Sequence, residues 1–414
     1  MTWVGWQGVR MDAKAFSGAP KRDVIMTDTA IAAAQGSRGR HVAKMARDAL
    51  AALRIAAAAH WPLLAGAVVS LLMVRGIIAP LDAPRQSPIL MLAGGLLSFF
   101  ALPLAAYILA VHAPWKLIRL AREGYQGPVL PELLRSIGRT FLHPGRVLNF
   151  VIFVIIIALF QKAALDLKAN IPALNPFSWD ETFMHLDRAL HSGTDPWRLL
   201  QPVMGHPVVT FLANFAYNIW FFFMTGVWFW LASSKRHGHV KNHFLAAFML
   251  TWAIGGGIMA LAFSSAGPVY YGRLGLSPDP FASLMSYLHG VKAHYPLWAL
   301  DVQEMLWRQF TTADADFDGI SAFPSMHNAI AALLALAAWR VSRKLGIFMT
   351  AFAAIILLAS VHLGWHYAVD GYAGIAIAIV CWKLGGVFAD WMQRRPETRR
   401  YRALLRKLDK ASHA

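Results

Sequence analysis

Two histidines and one aspartate stand out as residues able to do chemistry. The stretch FPSMH at residues 323–327 ends in His327, and the stretch HYAVD at residues 366–370 runs from His366 to Asp370. All three residues lie at the mouths of hydrophobic segments, where polar side chains are costly and usually have a task. Because His366 and Asp370 are four residues apart, they share one face of a helix that contains both.

This arrangement predicts phosphoryl transfer. A carboxylate beside one imidazole nitrogen fixes the tautomer and leaves the other nitrogen available, so that His366 can attack phosphorus and form a covalent intermediate. His327 is predicted to protonate the leaving oxygen and then to activate the acceptor. Ser325 and the backbone amides after it begin a predicted helix. A helix N-terminus binds anions and stabilises charge on the equatorial oxygens.

The composition indicates an integral membrane protein. Of 414 residues, 57% are hydrophobic and only 15% are charged, and the mean hydropathy is +0.45. Soluble proteins contain more charge and lack repeated apolar runs of spanning length. The net charge of +17 comes from Lys and Arg in short connections and at both ends, a positive-inside pattern that suits anionic lipid rather than nucleic acid. The single cysteine, Cys381, excludes an internal disulfide framework.

Eight apolar runs predict an all-α bundle of about eight transmembrane helices. The runs cover about 57–80, 88–111, 147–164, 208–232, 244–263, 327–340, 345–362 and 367–387. When the basic connections are all placed inside, His327 and His366 both reach the outer membrane face. Two motifs that are distant in sequence therefore become neighbours in depth.

The same runs predict four parts of the chain. Residues 1–56 form a basic cytoplasmic tail without a cleavable signal peptide, and residues 57–146 hold two accessory transmembrane helices and a basic cytoplasmic connection. Residues 147–390 form a six-helix catalytic membrane domain, and residues 391–414 form a basic cytoplasmic tail. The role of the two accessory helices stays open.

The two histidine motifs resemble the second and third signature motifs of the type 2 phosphatidic acid phosphatase superfamily. Within it, they are more similar to the inositolphosphotransferase branch typified by fungal inositol phosphorylceramide synthase. The resemblance covers roughly spans three to eight and leaves out residues 1–146. It implies that His366 is the nucleophile, Asp370 its partner and His327 the acid and base, with no cofactor and no metal.

The chain departs from the superfamily pattern at two places. An arginine normally follows a serine six residues before the nucleophilic histidine, but here Ser360 is followed by Val361. The first motif, a lysine six residues before Arg-Pro, is also absent. The transferase branch lacks these basic residues too, so the departures favour transfer over plain phosphatase activity.

The loop after span five offers residues in place of the missing motif. Its sequence GPVYYGR at residues 267–273 supplies the substrate-binding candidates Gly267, Pro268, Tyr270 and Arg273. Arg273 can provide the missing positive charge for phosphate, and Lys292 and Arg308 are alternatives.

Two metal-binding interpretations stay open. His362, His366 and Asp370 recur at four-residue steps, as three ligands on one helix face would. This is less favoured because His327 would have no role, and His362 is otherwise predicted to line the substrate pocket.

The second metal-binding interpretation concerns an acidic loop. Asp314, Asp316 and Asp318 match the first half of a calcium-binding loop, but Ser325 stands where its glutamate should be. A solvated acidic loop is favoured over a weak divalent-ion site. Three other acids, Asp180, Asp187 and Asp195, are interpreted as helix caps and loop charges without chemistry.

The sequence therefore predicts a membrane lipid phosphotransferase that moves a phosphorylated headgroup between a lipid and a hydroxyl acceptor at the outer face. One alternative is a phosphatase of phosphatidic acid or polyprenyl phosphate or pyrophosphate, in which water replaces the acceptor. A second is a transporter or lipid-binding protein in which the histidines relay protons or bind ligand. The Ala- and Arg-rich composition favours a bacterial inner membrane, with the site facing the periplasm. The donor, the acceptor and the oligomeric state stay open.

Overall fold

The computed structural model describes residues 28–82, 94, 100–101, 104–233, 238–312 and 319–411. These residues form helices joined by loops, with no strand among them, which confirms the predicted all-α membrane bundle. Among the described residues, those from 52 to 411 form one compact unit, and those from 28 to 51 belong to another.

The described residues form fourteen α-helices of nine residues or more. They are α1 (Asp28–Ile78), α2 (Ala113–Arg122), α3 (Val129–Phe141), α4 (Pro144–Leu174), α5 (Asp180–Leu190), α6 (Pro196–Met204), α7 (Pro207–Ala232), α8 (His239–Thr251), α9 (Ala282–Lys292), α10 (Trp298–Thr311), α11 (Met326–Val341), α12 (Arg343–His362), α13 (Ala368–Arg394) and α14 (Pro396–Ala411). A π-helical segment, Trp252–Met259, extends α8.

Seven helical segments of the described residues are long and apolar enough to cross a membrane. They are Ala43–Ile78, Leu104–Arg122, α4, α7, α8 with its extension to Ala262, α12 and α13. The helix α11 is an eighth apolar helix, but it has only 16 residues. It lies in the middle of the bundle and packs against α7, α8, α12 and α13. Its apolar composition therefore reflects burial inside the protein as well as membrane depth.

Several predictions fall on residues outside the described part of the chain. They concern most of the second span (88–111), the first 27 residues and the acidic loop 313–318. The described segment Leu104–Arg122 is apolar enough to span a membrane, although α2 at its end was predicted to belong to the cytoplasmic connection.

The glycines at residues 255–257 allow close helix approach. They lie in the π-helical extension of α8, where a Cβ atom on Gly255 would come within 3.2 Å of Met326 Sδ and 3.4 Å of Pro324 Cγ. The extension of α8 therefore packs directly on the start of α11, beside His327.

Candidate active site

The start of α11 is fixed by a serine cap. The Ser325 hydroxyl accepts hydrogen bonds from the Asn328 backbone N–H (3.4 Å) and side-chain amide (3.0 Å), as expected for an N-cap residue. The same Asn328 amide donates to Ser360 Oγ on α12 at 3.1 Å. All three side chains are buried. This network joins two helices and fixes His327 on the first turn of α11.

The start of α13 is fixed by two carboxylates. Asp187 accepts hydrogen bonds from the backbone N–H groups of Ala368 (2.8 Å) and Val369 (2.9 Å). Asp370 Oδ2 accepts one from the Tyr367 N–H at 3.0 Å. Carboxylates stabilise a helix N-terminus because its first N–H groups lack intrahelical partners. His366 immediately precedes this capped turn, so its backbone is fixed as well.

Asp180 joins two loops behind the site. Its carboxylate accepts hydrogen bonds from the N–H groups of Ala266 (2.9 Å) and Gly267 (2.8 Å) and from the Tyr367 hydroxyl (3.0 Å). Gly267 has a φ of +102°, and a Cβ atom there would lie 2.6 Å from the Trp365 carbonyl oxygen. Only glycine fits this close approach.

The two aspartates of α5 therefore act as positioning residues. Asp180 and Asp187 are both buried, and burial raises the pKa of each carboxyl, that of Asp187 to about 6, against the opposing effect of the backbone N–H donors. Asp187 is a helix cap, as the sequence indicated, but for a helix 181 residues further along the chain. Asp195 instead pairs with Arg188 (2.6 Å) and Arg198 (3.3 Å).

The His366 ring lies beside the Asp370 carboxylate, although its Nδ1 makes no hydrogen bond with any described residue. Its Nδ1 lies 3.4 Å from Asp370 Oδ2, and the centroid of its ring lies 6.3 Å from that of His327. Burial lowers the pKa of His366 to about 4; a hydrogen bond to the Ala322 backbone opposes this, and the charge of Lys168 adds to it. The imidazole is therefore neutral near pH 7, the form that carries a nucleophilic lone pair.

Both histidines line a cavity of about 260 Å³. Aromatic side chains form much of its wall: the His327 ring stacks on Tyr217 at 4.6 Å and lies 4.5 Å from Trp220. Four buried aromatic donors of the wall have no hydrogen-bond partner among the described residues. They are Tyr217 Oη, Trp220 Nε1, Trp252 Nε1 and Trp365 Nε1. A ligand with several oxygen acceptors would satisfy these donors.

Lys168 is a site residue that the sequence reasoning missed. Among the described residues it is the only lysine or arginine in the cavity wall, and its charge acts on both His327 and His366. The predicted third span ended near residue 164, but α4 continues to Leu174. The helical spacing of Gln161, Leu165 and Lys168, which all line the cavity, was the signal available in the sequence.

The predicted cations lie elsewhere. Arg273 is exposed and pairs with Glu304 at 2.5 Å, and Lys292 pairs with Asp301. Arg308 is also exposed. None of the three belongs to the wall of the cavity that holds His327 and His366, whose described lining contains Lys168 instead.

The remaining predicted residues lie around the cavity in different roles. Tyr270 lines it, although its hydroxyl donates to the Gln303 carbonyl at 2.9 Å. Ser325, Gly267 and Pro268 lie behind the wall, and Ser325 and Gly267 hold the site together through the bonds described above.

His362 was predicted to line the substrate pocket, but it is not part of the cavity wall. It is fully buried, and its Nε2 lies 2.9 Å from Thr210 Oγ1. No group of three His, Cys, Asp or Glu side chains in the described part of the chain is arranged to hold a metal ion. The acidic loop that was the other metal candidate falls outside that part.

Comparison with known families supports the resemblance at the superfamily level. Residues 181–384 match a family model described as the PAP2 superfamily. The match covers just under half of the chain and includes His327, His366 and Asp370, but not Lys168. It suggests a phosphatase or phosphotransferase that acts on lipid phosphates. No curated protein and no solved structure matches the chain.

Proposed function

We propose that this protein is a membrane lipid phosphotransferase that works through a phosphohistidine at His366. One observation carries the proposal: the centroids of two imidazole rings lie 6.3 Å apart in a cavity with several aromatic side chains in its wall, and one of the rings has a carboxylate 3.4 Å from its Nδ1. A phosphorus atom between the two rings would have a nucleophile on one side and a proton donor on the other.

In the first half-reaction, the lone pair of His366 Nε2 forms a bond to phosphorus while the bond from phosphorus to the leaving lipid oxygen breaks. His327, which takes up a proton when the anionic phosphate binds beside it, gives that proton to the leaving oxygen, which departs as an alcohol. Asp370 keeps the Nδ1 proton of His366 in place and stabilises the positive charge on the ring. The product is a headgroup phosphate attached to His366.

In the second half-reaction, the hydroxyl of the acceptor loses its proton to His327 and attacks phosphorus. A new bond from oxygen to phosphorus forms, and the bond from His366 Nε2 to phosphorus breaks. Both histidines return to their starting protonation states, so the cycle is balanced without a metal or a redox partner.

Lys168 and the start of α11 supply the positive field for the phosphoryl oxygens. Lys168 takes the place of the arginine that is absent at Val361, because its charge acts on both catalytic rings. Phosphoryl transfer needs this stabilisation, since negative charge spreads over the equatorial oxygens in the transition state.

The cavity wall favours a headgroup with several hydroxyls, as in the inositolphosphotransferase branch. Stacked aromatic faces and four partnerless donors suit a polyol ring, which presents an apolar face and many acceptor oxygens. The alternative is a lipid phosphate phosphatase, in which water enters and attacks the phosphohistidine. The two reactions share the first half-reaction.

We also propose that the cavity opens at the outer face of a bacterial inner membrane, toward the periplasm, and that residues 147–390 form the catalytic domain. The support is the positive-inside placement of the basic connections and the position of both histidines near helix ends. Cysteine substitutions at exposed positions of α9, tested with an impermeant maleimide in cells, would check the orientation. Labelling only after membrane disruption would show the opposite orientation.

The test of function is incubation of the purified protein with a panel of phospholipids, with and without inositol or ceramide as acceptor. Lipid and phosphate products are separated by mass spectrometry, and His366→Ala is the control. We expect a new headgroup-bearing lipid that requires both the acceptor and His366. Acceptor-independent release of phosphate would establish the phosphatase instead. The absence of any His366-dependent product would favour the transporter or lipid-binding alternative.

A further inference from the structure

A second cavity, which we call the α1 groove, lies where α1 meets α4 and the π-helical extension of α8. Its volume is about 190 Å³. Nearly all lining side chains are apolar, and none of them is charged. They are Ser70, Met73, Val74, Ile77, Phe160, Ala163, Ala164, Leu167, Trp252, Ala253, Gly256, Gly257, Ile258 and Leu261.

The α1 groove adjoins the cavity that is lined by His327 and His366. Trp252 and Gly256 line both spaces. A Cβ atom on Gly256 would lie 2.7 Å from the Trp252 ring. The glycine therefore leaves space for the indole, which lies between the cavity and the groove. Along α4, Leu165 faces the catalytic cavity while the preceding Ala164 faces the α1 groove.

The chemistry of the α1 groove is that of a hydrocarbon site. Its one hydroxyl, that of Ser70, already donates to the Gly66 carbonyl at 2.8 Å, so the groove offers no free side-chain hydroxyl. At its rim, the side chains of Met73 and Ile77 are 61% and 39% exposed. Both belong to a membrane-spanning segment, so the rim faces the acyl chains of the bilayer rather than water.

We propose that the α1 groove holds one hydrocarbon chain of the lipid whose phosphate binds between His327 and His366. This inference rests on the proposed function, because it assigns the tail of the same substrate. The lipid would place its polar headgroup among the aromatic donors and pass its chain across Trp252 and Gly256 into the groove. The accessory helix α1, which the family match does not include, thereby becomes part of the substrate site and selects for chain length.

The first test compares two adjacent positions of α1. Ser70→Phe places a ring in the α1 groove, whereas Val69→Phe adds the same ring at a residue that is 52% exposed and outside the groove. The readout is the ratio of kcat/KM for a dipalmitoyl substrate to kcat/KM for its dihexanoyl analogue. We expect Ser70→Phe to lower this ratio about tenfold, since loss of about two buried methylenes changes binding by that factor. Val69→Phe should keep it.

An equal effect of the two variants on the ratio, or no effect of Ser70→Phe on it, would overturn the proposal. A second measurement needs neither a variant nor turnover. Wild-type protein is irradiated with a phosphatidic acid that carries a diazirine at the end of one acyl chain, and labelled peptides are identified by mass spectrometry. We expect labels on residues 70–77 and 253–261, and competition by unlabelled phosphatidic acid.

The matched control is phosphatidylcholine with the same diazirine chain. Equal labelling by both lipids would show a site for bulk lipid and would overturn the proposal, as would labelling confined to exposed positions of α1. Groove labelling that phosphatidic acid competes for would support the proposal even if no lipid phosphate is turned over, which would count against the proposed function alone.

Discussion

Polar side chains lie inside the protein near both ends of α4. Near its start, the Asn149 cluster brings together Asn149, Lys241 and Tyr401; near its end, the half-buried Lys168 lines the cavity of the candidate active site. Residues 149 and 168 are separated by about 28 Å along the helix axis at 1.5 Å per residue. This separation matches the thickness of the hydrocarbon core, about 30 Å. We therefore expect the Asn149 cluster and Lys168 near opposite faces of the membrane.

The Asn149 cluster and the candidate active site differ in how their polar atoms are satisfied. In the Asn149 cluster, Lys241 Nζ (2.7 Å) and the Tyr401 hydroxyl (2.8 Å) both donate to Asn149 Oδ1, which ties α8 and α14 to α4. In the catalytic region, the carboxylates of Asp180 and Asp187 bind backbone N–H groups, and aromatic donors in the cavity wall stay without partners. Burial of polar groups alone does not mark a functional site. Polar donors that face a cavity and have no hydrogen-bond partner are the better indication of a functional site.

The largest effect should follow removal of the nucleophile. We expect His366→Ala to lower kcat/KM by about 10⁴-fold or more, because no other group can form the covalent intermediate. Purified variants would be assayed with the lipid substrate found in the panel, after their elution profile and helical content are matched to wild type. Retention of a tenth of the activity would remove His366 from this role.

Removal of the proton donor should have a smaller effect that depends on the leaving group. His327→Ala should lower kcat/KM by about 10²–10⁴-fold with a lipid substrate, because general acid–base catalysis typically contributes a factor of this size. With a nitrophenyl phosphate ester, whose leaving group needs no proton, the loss of kcat/KM should be far smaller. Equal losses with both substrates would show that His327 has a structural role instead.

Loss of the cavity cation should be smaller again. We expect Lys168→Met to lower kcat by about 10²-fold, the cost of one electrostatic donor to a transition state. Arg273→Met is the control, because Arg273 is exposed and already paired with Glu304; it should stay within about twofold, as a surface ion pair contributes little. If Arg273→Met had the larger effect, the original sequence prediction would be restored.

The pH dependence should follow His366. Because burial lowers its pKa from 6.5 to about 4, the ring becomes protonated and loses its nucleophilic lone pair only as the pH falls through about 4. The neutral form is favoured on folding, so the stability that this group contributes is present above pH 6.5 and is lost as the pH falls from 6.5 to 4. The acid limb of kcat/KM with a phosphodiester lipid should lie near pH 4, and a limb near 6.5 would contradict this environment.

The smallest effect concerns the Asn149 cluster. Tyr401→Phe removes the hydroxyl that donates to Asn149, and we expect a loss of about 1 kcal/mol in the free energy of unfolding, the usual net value of one hydrogen bond. Activity should change less than twofold. Thermal unfolding in detergent and the lipid assay measure both quantities, and a large loss of kcat at normal stability would link this cluster to catalysis.

Much of the helical plan could be predicted from the sequence, because apolar runs of spanning length and basic connections are local patterns. The same reasoning placed His327 and His366 at one membrane face, and the structure brings their rings to 6.3 Å. Lys168 was missed because polar residues such as Lys162 and Asp166 break the apolar pattern. In the structure these two form a buried i,i+4 pair that lets α4 continue.

The roles of the loop residues depend on contacts that sequence spacing does not contain. Asp180 and Asp187 reach partners on α13 and the turn before it, more than 180 residues away. Arg273 lies in the loop that was predicted to replace the missing motif, but it is exposed and pairs with Glu304, 31 residues further on. The roles of the two aspartates and the position of Arg273 therefore depend on long-range hydrogen bonds.

The most direct test of the central claim is to trap the covalent intermediate. Wild-type protein is mixed with the lipid donor without acceptor, quenched at alkaline pH within milliseconds, digested and analysed by mass spectrometry for phosphohistidine. We predict a headgroup phosphate on His366, its loss when acceptor is added before the quench, and its absence in His366→Ala. A label on another residue, or product formation in a single turnover without any labelled histidine, would contradict the phosphohistidine mechanism.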